Sequence, residues 1–297
     1  FTNICKYACK YCGFRRNKTD KDAYVRSIDE ITTKLQSVPE SLTEVWFSSG
    51  LNPNLPYQYY IDLLINTKKV LPDVQVKAFT AVEIDFFATH YKKTHEQVLD
   101  ELIEAGLDRI PGGGAEIFDP GIRKKIDLKT RTEDYLKIHE LCHKKDMPTS
   151  ITMLFGHVEQ RQHRIKHLEV LRDFQDRSKG VQAFIPLAYQ DENNFLAKRG
   201  VKGPSPIEIL KTLAISRIYL DNIDHIQSFW IDSGVETTQI SLHYGVDDVN
   251  GTIFEENIAH ESGAKTPTYT STDELTRWIE GAGMTPAQRD ARFKILT

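Results

Sequence analysis

Three of the four cysteines in this chain lie within its first twelve residues, in the pattern C-x3-C-x2-C formed by Cys5, Cys9 and Cys12. One short loop can therefore bring three soft thiolates together. Soft thiolates select iron-sulfur clusters, zinc or copper(I) over hard cations, and a structural zinc site normally closes its tetrahedron with a fourth Cys or His. No fourth ligand lies nearby in the sequence, which favours a cluster with one iron open to an external ligand. A zinc knuckle or a trio of buried thiols is the alternative interpretation.

The composition indicates a soluble protein that acts on a small molecule. A formal net charge of -4 and a pI near 6.2 provide no basic footprint for nucleic acid. No stretch approaches the roughly 18 apolar residues that a membrane span needs, and the N-terminus has no apolar signal segment. Cys142 lies at helical spacing and is predicted to be a core residue. Thiols gathered in one motif do not form a disulfide framework, so we expect a reducing, cytoplasmic location.

The rest of the chain alternates β-branched apolar runs with capped helices, the rhythm of a parallel sheet wrapped by helices. The predicted strands cover residues 43–49, 74–80, 107–110, 149–155, 181–187, 226–231 and 238–243. With a strand before Cys5, of which we expect only a truncated part here, they make eight. The sequence therefore predicts an α/β fold, a TIM-type (β/α)8 barrel over residues 1–252, with a helical C-terminal extension over residues 253–297 packed on it. Predicted helix starts with an N-cap and an acceptor three residues later are Ser27/Glu30, Thr94/Gln97, Ser205/Glu208, Ser271/Glu274 and Thr285/Gln288.

The cysteine pattern, with the aromatic Tyr11 directly before Cys12, resembles the signature of the radical S-adenosylmethionine (SAM) superfamily. The resemblance implies a 4Fe-4S cluster held by Cys5, Cys9 and Cys12. It also implies that the open iron binds the amino and carboxylate groups of SAM, with Tyr11 beside the cofactor, and that one electron cleaves SAM to a 5′-deoxyadenosyl radical. A reductant such as flavodoxin or ferredoxin would supply that electron.

Catalytic groups of such barrels come from the C-terminal ends of the strands, so the candidate residues follow predicted strands. Ser49 and Gly50 follow the second strand, where the superfamily places a segment that holds the amino group of SAM; a plain turn is the alternative. Thr80 and Glu83 follow the third strand and either bind substrate or satisfy a loop backbone.

The later strands supply further candidates. A glycine run that includes Gly113 and Gly114 allows close approach to the backbone, and Glu116 can accept hydrogen bonds from the two hydroxyls of a ribose. His157 and Glu159 follow the fifth strand, where an imidazole can bind a carboxylate or move a proton. Two more candidates are Pro186, for main-chain contacts to adenine, and Arg217, which either clamps a substrate carboxylate or forms a barrel ion pair.

Five segments carry a closer resemblance, to the aminofutalosine synthases of menaquinone biosynthesis; they are residues 77–85, 111–118, 152–159, 182–188 and 245–252. This resemblance implies a transferase that adds the 5′-deoxyadenosyl radical to the enol-ether double bond of 3-[(1-carboxyvinyl)oxy]benzoate. Rearrangement and decarboxylation would then give 6-amino-6-deoxyfutalosine, with SAM consumed as a co-substrate. Thr80, Glu83, His157 and Arg217 are the residues expected to bind the enol ether, and His157, Glu159 and Arg217 the catalytic candidates.

Two other functions remain open from the sequence. Dehypoxanthine futalosine cyclase and the tyrosine-using subunit of deazaflavin synthase are similar radical SAM enzymes. The chain has Ser-Ser-Gly-Leu-Asn-Pro at residues 48–53 where a Gly-Gly-Leu-His-Pro-like loop is expected, so the contact made by Asn52 is open. A hypothesis of another class is a non-enzymatic metal-binding protein or electron carrier.

Overall fold

The computed structural model describes residues 1–38, 42–127 and 129–296. Strands and helices alternate along most of the chain. The strands are β1 (Glu44–Phe47), β2 (Gln75–Ala78), β3 (Thr149–Phe155), β4 (Val181–Ala188) and β5 (His225–Ile226). The helices are α1 (Ile28–Gln36), α2 (Tyr57–Val70), α3 (Ala81–His90), α4 (His95–Glu104), α5 (Pro120–Ile126), α6 (Thr132–Lys144), α7 (Arg161–Ser178), α8 (Phe195–Lys198), α9 (Pro206–Tyr219), α10 (Trp230–Ser233), α11 (Val235–Ser241), α12 (Ile258–Glu261) and α13 (Thr272–Gly281).

All of the strand pairs are parallel and join neighbours in the chain. β1 pairs with β2, and β4 lies between β3 and β5. Shorter parallel contacts continue the series. Arg109 bridges to Lys77 of β2, and Asp248 bridges to Gln227 just after β5. The extended segment before Cys5 joins the chain beyond β1 through a 2.8 Å hydrogen bond from Gly50 N to Thr2 O. This sequential parallel order is the one that the sequence predicts.

One predicted strand is wrong and four are shorter than expected, the fourth and the seventh most of all. Residues 238–243 form the end of α11 and a 3-10 turn at Leu242–Tyr244. The β-branched residues there suggested a strand, but Thr237, Thr238 and Ser241 are buried together at helical spacing. The eighth parallel segment instead lies around Asp248. The seventh strand, predicted at 226–231, is replaced by α10 beyond its first residues, and the fourth, at 107–110, is a single bridge.

Helix starts agree well with the capping signals in the sequence. Ser27, Thr94 and Ser271 form complete capping boxes, and Ser205 accepts a hydrogen bond from the backbone of Glu208. The signal at Thr285 is wrong, because no helix begins there in the described part of the chain. That segment instead forms an antiparallel bridge between residues 289 and 295.

The residues after 252 contact the barrel at both of its ends. Near the cysteine loop, Gly13 N donates to Ser262 Oγ at 3.0 Å, and Glu255 pairs with Arg26 at 2.7 Å. At the opposite end, Arg289 forms an ion pair with Asp248. A small apolar cluster attaches this segment to the barrel; it consists of Ile185, Phe229, Trp230, Ile231, Ala264 and Leu275. Among the described helices, none combines the length and apolar character that a bilayer crossing demands.

Gly112 is required where the fourth segment meets β3. A Cβ atom at this position would lie 2.6 Å from Ser150 O and 2.8 Å from Ile151 Cα, which are backbone atoms inside a sheet. We predict that Gly112→Ala lowers the free energy of unfolding by about 1–3 kcal/mol, measured by chemical denaturation.

Gly281→Ala is the matched control for this substitution. Gly281 is the last residue of α13, and the nearest atom to its added Cβ is the flexible Gln239 amide at 3.3 Å. Its unfolding free energy should stay the same or rise, because alanine favours the helix. Wild-type stability in Gly112→Ala would contradict the close packing described here.

Candidate active site

The three motif cysteines lie half-buried in the loop between the first extended segment and α1. Lys6 N donates to Leu51 O at 2.8 Å, which fastens this loop to the chain after β1. An added Cβ on Gly50 would lie 2.4 Å from Ile4 O and 3.1 Å from Cys5 Cβ. Gly50 is therefore needed for the close approach of the cysteine loop itself. Ser49 is beside it, and its hydroxyl donates to Gly50 O at 3.0 Å.

The thiols suit a cluster better than a single metal ion. Burial raises the pKa of Cys9 to about 12 and also raises that of Cys12, although backbone hydrogen bonds from Arg15 and Phe14 to Cys12 act in the opposite direction. Bound metal would replace the protons and stabilise the thiolates. In the described ranges, no three His, Cys, Asp or Glu side chains are close enough to hold one ion. A cubane takes one thiolate on each of three irons, and this loop supplies three thiols.

A buried ion pair links the cysteine loop to the segment after the glycine run. Lys129 Nζ lies 2.8 Å from Glu116 Oε1 and 2.7 Å from the Tyr11 hydroxyl, and it stands 5.4 Å from the Tyr11 ring centroid. Burial would raise the pKa of Glu116, but Lys129 and the Tyr11 hydroxyl hold it below its usual value. Burial would lower the pKa of Lys129, but Cys9, Glu116 and Asp127 raise it. Both groups are therefore charged at neutral pH.

Lys129 was missed by the sequence analysis. It lies in a loop between α5 and α6 without any recognisable motif, and only the fold brings it beside Tyr11 and Glu116. Arg123 stabilises the backbone on either side of this ion pair. Its guanidinium is buried and donates to the carbonyls of Ala115 and Thr130, the latter at 2.6 Å.

Packing explains most of the glycine run. Gly114 has φ +99°, and an added Cβ would overlap the Val82 side chain at 2.2 Å. Gly112 is closed off by β3, as described above. Gly113 has the most room, with only the Thr80 methyl group at 3.2 Å. Glu116 has φ +49°, unusual for a residue with a side chain. Such strained residues concentrate at functional sites.

Thr80 and Glu83 form a capping box at the start of α3. Glu83 Oε2 accepts from Thr80 N at 2.7 Å, and Thr80 Oγ1 accepts from Glu83 N at 3.4 Å. Burial raises the pKa of Glu83 to about 7, with the capping hydrogen bonds acting against it. The pair thus satisfies a loop backbone, as one of the two sequence interpretations held. The Thr80 methyl group also stands against Gly113.

His157 and Glu159 hold the loop after β3. Val158 N donates to His157 Nδ1 at 2.7 Å, so the other ring nitrogen carries the proton and donates to Leu154 O at 3.1 Å. Burial lowers the pKa of His157. Glu159 accepts from Gly156 N, His157 N and Arg164 Nε at 2.6, 2.9 and 2.7 Å. Both ring nitrogens of His157 are engaged within its own loop.

Pro186 and Arg217 make their observed contacts within the barrel. Pro186 pairs with Met153 in β4, two residues from Phe184, which faces His167 of α7. Its side chain therefore lies on the helix-facing side of the strand. Arg217 lies near the end of α9, where it donates to Gly245 O at 2.7 Å and pairs with Asp247 at 2.5 Å. These are contacts of the barrel ion pair that the sequence analysis offered as the alternative.

Comparison with known proteins decides the family. Residues 1–171 match the profile described as the Radical SAM superfamily, and residues 178–297 match the one described as the CofH/MqnC C-terminal region. The chain belongs to the radical SAM superfamily. The chain is therefore an enzyme, and its superfamily implies a 4Fe-4S cluster, SAM and a reductant, as the cysteine spacing predicted.

Individual relatives extend over almost the whole chain. The sequence is 41% identical to an aminodeoxyfutalosine synthase of Streptomyces coelicolor, covering 99% of this chain and 79% of that protein. It is also 41% identical to an aminodeoxyfutalosine synthase of Thermus thermophilus, covering 99% of this chain and 80% of the relative. The structure resembles crystalline methylornithine synthase with a TM-score of 0.76 at 15% identity, over 97% of this chain and 81% of that one. This last likeness concerns the fold alone, and it confirms the TIM-type α/β barrel.

The radical SAM assignment makes a prediction about the four cysteines. Cys5→Ala, Cys9→Ala or Cys12→Ala should each abolish cluster binding, because a site with two thiolates no longer holds three irons. Iron and sulfide content and the visible absorbance of the anaerobically reconstituted protein measure this. Cys142 is fully buried in the core, so Cys142→Ala should keep the cluster. Loss of the cluster in Cys142→Ala alone would contradict the ligand assignment.

Glu83 predicts a pH dependence of stability. Its folded pKa of about 7 lies above the unfolded value of 4.5, so its stabilising contribution is complete below pH 4.5 and is lost as the pH rises through 7. Glu83→Gln keeps a capping side chain but cannot ionise. Between pH 4.5 and 8 the wild-type apoprotein should therefore lose up to about 3 kcal/mol of unfolding free energy relative to Glu83→Gln. Urea denaturation of both proteins measures this difference. A difference that is constant with pH would refute the raised pKa.

Proposed function

We propose that this radical SAM enzyme catalyses the aminofutalosine synthase reaction of menaquinone biosynthesis. The observation that carries the proposal is the 41% identity to proteins of that name over 99% of the chain. The site supports it, because an acidic side chain and a lysine stand beside the cysteine loop, where a nucleoside bound to the cluster would present its ribose.

The proposed reaction joins SAM to 3-[(1-carboxyvinyl)oxy]benzoate. When bound, the cluster supplies the electron that cleaves SAM to methionine and the 5′-deoxyadenosyl radical. The radical forms a carbon-carbon bond to the vinyl carbon, and the arene then migrates from the ether oxygen to carbon. Loss of the carboxylate, which takes up water and leaves as bicarbonate, gives 6-amino-6-deoxyfutalosine. The departing carboxylate returns the electron, so the overall reaction needs no net oxidant or reductant. A flavodoxin or ferredoxin in the cytoplasm is the proposed source of the first electron.

The protein's part in this reaction is binding, orientation and exclusion of water. Cys5, Cys9 and Cys12 hold the cluster. Glu116 uses one oxygen for Lys129, and its other oxygen accepts from the ribose hydroxyls of SAM. The backbone carbonyls at Ser49 and Gly50 accept from its amino group.

The remaining candidate residues shape or stabilise the site in this proposal and take no part in the reaction. Gly113 has more free space around it than the other glycines of the run. In this proposal it lets the substrate approach the backbone beside Thr80. His157, Glu159 and Arg217 have their hydrogen-bonding groups engaged by their own loops or by the barrel, so we assign them no step in the reaction.

A second candidate function is that of a dehypoxanthine futalosine cyclase. The match of residues 178–297 to the CofH/MqnC C-terminal region and the 36% identity to a cyclic dehypoxanthine futalosine synthase favour this alternative. The two functions differ in the fate of the adenosyl radical, which is added to substrate in the synthase and abstracts hydrogen in the cyclase.

Mass spectrometry of the nucleosides formed by the reduced, reconstituted enzyme with SAM and the enol ether tests the proposal. We expect a product that joins the adenosine carbons to the benzoate, with little free 5′-deoxyadenosine. Cys12→Ala, treated in the same way, is the control and should form neither. Free 5′-deoxyadenosine with unconsumed enol ether would reject the synthase function, and turnover of dehypoxanthine futalosine would then establish the cyclase.

Glu116→Gln should weaken SAM binding by about tenfold, because a charged acceptor contributes about 1.5–3 kcal/mol when its hydrogen bonds are made. Calorimetric titration of SAM into the cluster-loaded, unreduced protein measures the affinity. Glu133→Gln, on the exposed first turn of α6, is the matched control and should bind SAM normally. Unchanged SAM affinity in a cluster-loaded Glu116→Gln protein would show that Glu116 does not contact the nucleoside.

A further inference from the structure

An aromatic surface lies inside the barrel below the cysteine loop. Trp46 of β1 is 43% exposed, although its ring stands 6.5 Å from that of Phe229, which follows β5. β1 and β5 are not neighbours in the sheet, so these two rings can meet only across the inner side of the barrel. An exposed tryptophan on this side means that the interior is open at this level.

Two cations lie beside and below this surface. Lys77 of β2 is paired in register with Trp46, and its ammonium stands 5.0 Å from the Trp46 ring centroid. Lys77 also bridges to Arg109 on the next segment. Because bridged residues of parallel strands face the same side, Arg109 also points inward. Its guanidinium reaches over β3 to Gln182 of β4, with 2.7 Å between Nη2 and Oε1.

The charged side chains below Trp46 form the floor of the barrel interior, and their charges do not balance. Lys77 is paired with Glu44 at 2.7 Å, and Arg289 is paired with Asp248. Arg109 is only 3% exposed, its Nε atom has no hydrogen-bond partner, and the described residues offer it the neutral Gln182 amide in place of a carboxylate. Buried charges are normally paired, because an isolated one is costly. Arg292 and Asp290 also act on Arg109, so four cations face three carboxylates here and one positive charge is in excess.

The place of these groups suits the benzoate half of the substrate. Trp46 precedes Ser49 by three residues of extended chain, which is about 10 Å, and Ser49 adjoins the cysteine loop. An arene against Trp46 would therefore lie between the nucleoside at the mouth and the cationic floor. Planar aromatic pairs and a carboxylate-guanidinium contact are both favourable where water is excluded.

We propose that the barrel interior binds the substrate as an aromatic carboxylate, with its ring against Trp46 and Phe229 and its ring carboxylate directed to Arg109 and Lys77. This inference rests on the proposed function, since it names the subsite that positions the enol ether beneath SAM. Arg109 and Trp46 are substrate-binding residues in it, and they orient the vinyl group towards the adenosyl carbon.

Two unreactive probes of the same shape test the subsite, 3-ethoxybenzoate and its neutral amide 3-ethoxybenzamide. Calorimetric titration into the unreduced holoenzyme with SAM should show the benzoate binding about tenfold more tightly, the effect of a charge-assisted contact of roughly 1.4 kcal/mol. Arg109→Gln should remove this preference, and Arg109→Lys should retain part of it. Trp46→Leu should weaken both probes by a similar factor, and Trp46→Phe should restore most of the binding.

Matched controls lie outside the barrel interior. Arg172→Gln removes an arginine that pairs with Asp221 on the outer surface, and Trp278→Phe changes a tryptophan that packs on Trp230; neither should alter the affinity for either probe. Equal binding of benzoate and amide by the wild-type enzyme would overturn the proposal, and this result needs no variant to fold. A retained preference in Arg109→Gln, or wild-type affinity in Trp46→Leu, would also overturn it.

The outcome is distinct from that of the proposed function. If the wild-type enzyme prefers the benzoate probe but forms no adduct from the enol ether, the aromatic carboxylate subsite stands and the synthase reaction fails. If it forms the adduct but shows no preference between the probes, the synthase reaction stands and this subsite fails.

Discussion

The candidate site depends on a single buried ion pair, that between Lys129 and Glu116. It links two parts of the chain, the cysteine loop with Tyr11 and the strained residue after the glycine run. Removing one partner of a buried pair typically costs 3–5 kcal/mol, because the other charge is left uncompensated. The pair therefore stabilises the position of the cysteine loop against the segment after the glycine run. The Tyr11 hydroxyl also forms a hydrogen bond with the Glu116 carboxylate.

The sequence predicted the features that depend on local pattern. The cysteine spacing indicated the radical SAM superfamily, and the capping signals at Ser27, Thr94 and Ser271 marked true helix starts. The strand expected at 238–243 failed because β-branched residues also occur in short buried helices. Lys129 and Arg109 could not be found from sequence, because each gains its meaning only from partners on distant segments. His157 was named from the sequence as a catalytic candidate, but its contacts within its own loop are visible only in the fold.

The two ends of the barrel differ in the balance of their buried charges. At the mouth, the charges of Lys129 and Glu116 compensate each other, and burial raises the pKa of the Cys9 thiol. Deeper inside, Arg109 has no carboxylate partner in the described chain. A neutral mouth for a cationic sulfonium nucleoside and a cationic floor for a carboxylate would orient two substrates in one tube. Alignment of this kind is what a radical addition demands, since the reacting carbons must meet before the radical escapes.

The most direct test of this account is an anaerobic crystal structure of the protein with its cluster, SAM and 3-ethoxybenzoate. We predict that ribose hydroxyls lie 2.6–3.2 Å from the Glu116 carboxylate, with Lys129 still paired to it. The probe should stack against Trp46 with its carboxylate towards Arg109. A ribose bound elsewhere, with Glu116 held by Lys129 and Tyr11 alone, would contradict the account.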